Sequence, residues 1–374
     1  MARLILRGGN LAWAGIPRGG HATYVLQWLY GLQRLGHDVL YHDVLEGQSL
    51  ELEAFRRLTN QWWDPRRSAA FSSTGQVIHG LSMLEVEAFA EGAAGLISLG
   101  APYAADPEPW LAHVRPRVVV DQDPAFTQLW ALESDPELVY GVQDFYFTVG
   151  ANVGKQRSAI PTCGIDWRHT RNPVVLDWWS GAKPSPDGRF TTVASLWSQK
   201  YQEFEGEVWG PKAVELERFI ELPKLCGESL EIALEAGTGV EMLSRLHAHG
   251  WLTADAEEAA RSPETYQAYI AASSGEFTCV KGLYVGTNSG WFSDRSAAYL
   301  AAGKPVVTQD TGLCDVLPCT TGLHFVRSVE EAAEAISRIR ANYLEECEAA
   351  RSIAAAYFDS DEVLSGLLDI IGVV

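Results

Sequence analysis

A chain of 374 residues is long enough for two domains or one large one. It carries 29 Lys and Arg against 48 Asp and Glu, a net charge of −19, with 47% hydrophobic residues and 13 each of Trp, Tyr and Phe. These side chains suffice for sizeable apolar cores. The acidity argues against nucleic acid or an anionic membrane as the main partner, because both need a positive footprint, but it leaves room for a local basic pocket that takes one phosphorylated small molecule.

In chain order, Leu4-Ile5-Leu6 reads as a buried first strand. It is too short for a signal-peptide core, and no stretch reaches the ~18 apolar residues of a membrane-spanning helix. Gly8 to Gly20 is a glycine-rich loop, Thr23 to Leu35 an amphipathic helix ended by Gly36, and His37 to His42 a second strand. Two strands joined by a helix open a doubly wound parallel sheet. Gly95–Leu99, Arg117–Asp121 and Asp144–Val149 continue it as short strands apolar on both faces. The Pro- and Gly-rich stretch from Trp179 to Gly188 reads as a linker. The pattern then restarts, with strands Phe190–Ser195, Leu230–Leu234, Glu276–Val280 and Pro305–Thr308. Helices fall at 212–220, 240–249, 263–273, 293–302, 330–342, 345–357 and 361–370. The expectation is an α/β protein of two Rossmann-like domains facing a cleft, residues 1–178 and 189–374, the second including the terminal helix.

The six cysteines, Cys163, Cys226, Cys279, Cys314, Cys319 and Cys347, contain no C-x-x-C pair and fit reduced, cytoplasmic thiols. Cys314 and Cys319 with His324 offer too few ligands for zinc.

Four places could carry chemistry. The loop Gly15–His21, with Gly19 and Gly20 at the helix start, lets backbone N–H groups approach an anion, or is an ordinary strand–helix turn. It lacks both the G-x-G-x-x-G and the G-x-x-x-x-G-K-[ST] patterns. The segment Ser289-Gly290-Trp291-Phe292-Ser293-Asp294-Arg295-Ser296 is a polar loop running into a helix capped by Ser293 or Asp294 and stopped by Gly303. Its amides suit a diphosphate at the carboxyl end of a strand, or simply cap the helix. Lys200, Lys212, Lys281 and Arg295 are lone cations near strand ends; Lys212 at a helix start runs against the helix dipole. Asp121 and Asp123 follow a strand. Asp123 either acts on an acceptor hydroxyl or caps a helix beginning at Pro124. His21 joins it as a candidate for substrate contact.

The run Ala301-Ala302-Gly303-Lys304-Pro305-Val306-Val307 resembles the nucleotide-sugar site of GT-B glycosyltransferases, in the group with sucrose- and glycogen-synthase-like enzymes, whose pattern there is [AC]-x-G-x-P-V-[VI]. Gly19-Gly20 and Gly36-His37-Asp38-Val39 match its N-terminal half. The resemblance implies a metal-free, hexosyltransferase-like enzyme without cofactor. A nucleoside diphosphate sugar would be held on the C-terminal domain by Lys212, Lys281 and the Gly290–Ser296 segment. A small-molecule or glycan acceptor would sit near Gly19, Gly20, His21 and Asp123. The family's Glu-x7-Glu pair falls on Gly290 and Ala298, so both carboxylates are missing, with Asp294 or Ser296 left to meet the ribose. Within the family the chain is similar to a poorly characterised bacterial subgroup. A nucleotide-sugar epimerase, which wants grouped carboxylates and histidines, and a non-catalytic sugar-nucleotide-binding partner are the alternatives.

Overall fold

The computed structural model describes residues 1–12, 19–45, 49–100, 109–197 and 201–373. The chain forms two compact units. The first holds Met1–Gln156, Ile160–Val175 and Asp359–Val374, and the second holds Arg157–Ala159 and Leu176–Phe358.

The first unit is built on eight strands: β1 (Arg3–Gly8), β2 (Asp38–Leu45), β3 (Ser68–Ser72), β4 (Val77–Gly80), β5 (Ala93–Leu99), β6 (Arg117–Asp121), β7 (Phe145–Thr148) and β8 (Trp167–His169). Their order is β4-β3-β2-β1-β5-β6-β7-β8, parallel throughout except for β3 against β4. The direction of winding changes between β1 and β5. The helix Gly19–Arg34 between β1 and β2 is buried nearly all round, with Val25, Leu26, Trp28, Leu29 and Leu32 fully covered. Gly36, at φ +86°, ends the turn that follows it, as the sequence predicts.

The second unit has β9 (Phe190–Ala194), a hairpin of β10 (Gln202–Phe204) and β11 (Glu207–Trp209), then β12 (Leu230–Leu234), β13 (Leu252–Asp255), β14 (Gly275–Thr278), β15 (Val306–Gln309) and β16 (Leu323–Val326). Apart from the hairpin these make an all-parallel sheet, β13-β12-β9-β14-β15-β16, whose winding reverses between β9 and β14. Its core packs Phe219 and Trp251 on Phe277 of β14, with ring centroids 5.4 and 5.9 Å apart. The buried Trp251 indole donates to the Ile220 carbonyl at 2.8 Å, so the large ring brings no orphan polar atom with it.

One assignment changes. The terminal helix Ser360–Ile371 belongs with the first unit, not with the second as its place in the sequence suggested. Ser360 N–H donates to Val174, and Arg34 pairs with Asp361 at 3.1 Å. Gly31 supplies the slot: a Cβ there would lie 2.4 Å from Leu364 Cδ1, so only glycine admits this packing undisturbed.

Candidate functional site

In an open parallel sheet, ligands bind outside the carboxyl ends of the strands where the winding reverses. In the second unit that place lies beyond Ala194 of β9 and Thr278 of β14. Helix Lys212–Arg218 begins there, pinned by Ala213 N–H to the Leu196 carbonyl and by Cys279 Sγ to the Lys212 carbonyl. Lys212 is half-buried and lines a small recess with Thr192, Ala194, Thr278 and Cys279. Its ammonium has no hydrogen-bond or ion-pair partner among the described residues. Burial first, and then the nearby Arg295 guanidinium, push its pKa down to about 8.

Arg295 does something else. Its Nε meets Glu276 at 2.5 Å, one terminal nitrogen donates to the Val193 carbonyl at 2.7 Å, and the other donates to Thr278 Oγ1 at 2.8 Å. Glu276 is fully buried in β14. The guanidinium therefore ties β9 to β14 and anchors its own helix, Asp294–Ala301, beside their ends.

The loop before that helix is partly committed too. Gly290, at φ +69°, donates its N–H to Thr311 at 2.7 Å, and Trp291 donates to Ser289 Oγ at 3.2 Å. Ser293 is the cap, accepting from Arg295 N–H at 3.2 Å, which resolves the choice between Ser293 and Asp294. The N–H groups of Phe292, Ser293 and Asp294 meet no protein acceptor among the described residues, and they open onto the positive end of an eight-residue helix. Ser296 is buried in that helix, and no partner among the described residues meets its hydroxyl. Trp291 stacks on Tyr284 at 4.6 Å, and Lys281 reaches the Tyr284 hydroxyl at 3.4 Å.

In the first unit, the helix opens at Gly19, four residues before the expected Thr23, so Gly19 and Gly20 form its first turn and not the loop before it; His21 Nε2–H donates to the Gly9 carbonyl just past β1. The rest of that loop, Gly15–Arg18, and Lys200 lie outside the described residues. The expected cap at Asp123 is corrected. The helix opens at Phe126, not Pro124, with Ala125 at its cap and the Gln128 carboxamide accepting the Ala125 N–H at 2.6 Å. Asp123 stays half-exposed at the end of β6. Its neighbour Asp121 is the buried one. It accepts from Thr127, Gln128 and Thr148 at 2.8, 2.9 and 3.0 Å, and burial lifts its pKa to about 6.

The cysteines need a second correction. Cys314 and Cys319 are joined in a disulfide, because the turn between them brings their Cα atoms to 5.3 Å. The other four are free thiols. Among the described residues no group of three or more His, Cys, Asp and Glu is placed to hold a metal ion, and no helix is long and apolar enough to cross a membrane.

No protein-family model matches the chain, and no curated protein does. Solved structures do. An alpha-glucosyltransferase in complex with UDP-glucose and abasic-site DNA matches at TM-score 0.61 and 12% identity over 99% of each chain. Anabaena HepE in complex with UDP and glucose matches at 0.61 and 12% over 100% of each. AviGT4, a glycosyltransferase of avilamycin A biosynthesis, matches at 0.55 and 12% over 100% of this chain and 97% of its own. This chain has the GT-B fold.

In this GT-B fold the missing carboxylate pair can be placed. Gly290 is spent on Thr311, and Ala298 is buried in the helix. Residues that sequence reasoning passed over also stand here. Glu276 is the one charged residue of a fully buried strand, which is itself the signal that could have drawn notice. Glu235 follows β12 and accepts a hydrogen bond from Ser195 just past β9. It joins the two segments, 193–195 and 234–238, that run past the carboxyl ends of β9 and β12.

Proposed function

We propose that this protein is a glycosyltransferase that moves a sugar from a nucleoside diphosphate sugar, with uridine as the base, to a hydroxyl of a small-molecule or glycan acceptor, without metal. The observation that carries this is Lys212: a desolvated cation without an acceptor among the described residues, at the carboxyl ends of the two central strands, near the helix whose first amides are uncommitted among those residues. A diphosphate answers both deficits, and stabilising it as a leaving group is what a metal-free transferase requires of its protein. Lys281 adds charge at the same strand end. The nucleoside lies along residues 193–195 and 234–238. The uridine choice is supported by the fold neighbours crystallised with UDP or UDP-glucose.

Arg295 holds the helix in place and does not meet the phosphates. Asp123 is assigned to the acceptor hydroxyl, and His21, held by Gly9, orients the acceptor. The protein's own acidity favours a neutral or cationic acceptor over nucleic acid.

The test is a thermal-shift screen with UDP-, GDP-, TDP- and ADP-sugars. A ligand at 100 times its Kd stabilises by about 2.7 kcal/mol. UDP-sugars are expected to raise Tm, and the reading fails if none of the four classes does. A second reading is favoured by one observation, the absent carboxylates at positions 290 and 298: a binder that holds the sugar nucleotide without turning it over. Slow hydrolysis of bound UDP-sugar to UDP separates the enzyme from the binder.

A further inference from the structure

The Cys314–Cys319 bridge has no part in the reading above. Cys314 is exposed and Cys319 half-buried, so a thiol reagent reaches the bond, whereas Cys279 and Cys347 are buried. The bridge closes the short loop Asp315–Pro318 beyond β15.

Two hydrogen-bonded routes lead from this loop to the segment 287–291. One starts just ahead of Cys314. The Asp310 carboxylate accepts the N–H groups of Gly312 and Leu313 at 2.7 and 3.3 Å and pairs with Arg327 at 2.7 Å. Beside it, Thr311 accepts the Gly290 N–H at 2.7 Å and donates its hydroxyl to the Trp291 carbonyl at 2.8 Å. The other starts inside the bridged loop. Asp315 pairs with Arg157, and the Arg157 carbonyl accepts from the Asn288 carboxamide at 2.7 Å. The next residue, Ser158, donates its hydroxyl to the Thr287 carbonyl at 2.9 Å. The bridged loop therefore holds the 287–288 end of the segment that leads into the Ser293-capped helix, and Thr311, just ahead of the bridge, holds its 290–291 end.

We propose that Cys314–Cys319 is a redox-modification site through which thiol–disulfide exchange tunes nucleotide binding; the readout rests on the function proposed above. A dithiol reductant attacks one sulfur of the bridge, and a mixed disulfide forms. Its second thiol then releases the chain. Two electrons and two protons pass to the protein, leaving two cysteine thiols and an oxidised reductant. Opening the bridge restores conformational freedom to residues 315–318, and the Asp315–Arg157 contact must then be ordered at an entropic cost. Segment 287–291 loses one of its two supports, so a ligand that needs it ordered binds more weakly.

The experiment uses the full chain, oxidised with glutathione disulfide or reduced with dithiothreitol, and titrates UDP into each by calorimetry. Denatured oxidised protein is expected to show four reactive thiols and reduced protein all six. UDP affinity is expected to fall about fivefold or more on reduction and to recover on reoxidation. The double variant Cys314→Ser/Cys319→Ser is expected to bind like reduced protein in both buffers. Six thiols after oxidation, or equal UDP affinity in the two states, overturns the proposal alone. UDP binding in neither state overturns the nucleotide reading and this proposal with it.

Discussion

The two parallel sheets reverse their winding at matching places, β1/β5 in one and β9/β14 in the other, but charge is used differently around them. In the first unit the buried carboxylates of Asp121 and Asp43 are saturated. Asp121 accepts from three side chains, and Asp43 accepts from the Tyr41 hydroxyl at 2.8 Å and from the Leu11 and Val44 N–H groups at 3.1 and 3.0 Å. In the second unit Arg295 is saturated in the same way by Glu276, Val193 and Thr278, while Lys212 has no acceptor among the described residues. The contrast separates two roles that sequence alone assigns to any charge at a strand end. A saturated buried charge holds elements together; an unsaturated one is costly unless a ligand completes it.

The largest expected effect breaks the saturated pair in the second unit. Glu276→Ala leaves Arg295 a buried charge with its main partner gone, a loss of about 3–5 kcal/mol. Denaturant unfolding measures it. A cost near zero would mean that Arg295 turns to solvent or ligand, and the distinction between Arg295 and Lys212 would collapse.

Next comes Asp121→Ala, which strips the acceptor from three side-chain donors and the Asp123 N–H and is expected to cost about 3 kcal/mol. Here pH sharpens the comparison. Burial raises the carboxyl to about 6 in the folded state, above the value of an unfolded Asp. Its contribution to stability is therefore full below about pH 4 and is lost as pH rises through about 6. The penalty of Asp121→Ala should shrink between pH 5 and pH 8. A penalty that grows over that range would show a carboxylate ionised and favourably held.

These contrasts mark how far the sequence is legible. Strand–helix alternation is written in local periodicity, so both α/β halves, the central strands of each sheet and the helix behind Ser293 follow from it. The Gly19-Gly20 helix start and the Gly303 stop are likewise local chemistry. What is set by distant partners is not legible. Arg295 and Glu276 stand on different elements, and nothing at either position names the other. The terminal helix shows an apolar face in Leu364, Leu367, Leu368 and Ile371, which says that it packs but not against what. The edge strands β4 and β13 are short and partly exposed and carry little of the buried-strand signature.

Gly31 tests the second of those gaps. Ala in mid-helix gains about 1 kcal/mol in helix propensity, but its Cβ would stand 2.4 Å from Leu364 Cδ1 and 3.0 Å from Ser360 Cβ. Overpacking of that kind costs about 1–3 kcal/mol. Gly31→Ala is therefore expected to destabilise by up to about 2 kcal/mol, and a stabilised variant would mean that the helix does not seat here.

The smallest effect on stability is expected where the effect on binding is greatest. Lys212→Met keeps the length and the apolar stem of the side chain and removes a cation that none of the described residues neutralises, so Tm should hold or rise. The depressed folded-state pKa gives a second signature. A base lowered to about 8 contributes stability above its unfolded pKa, near 10.4, that is lost as pH falls through 8. The advantage of Met over Lys should thus be larger at pH 7 than at pH 10. A hydrogen bond to a charged group is worth about 1.5–3 kcal/mol, so UDP affinity should fall at least about tenfold by calorimetry. A variant that loses stability and keeps its UDP affinity would make Lys212 a structural residue like Arg295. The diphosphate would then have to be held by the helix amides and Lys281 alone.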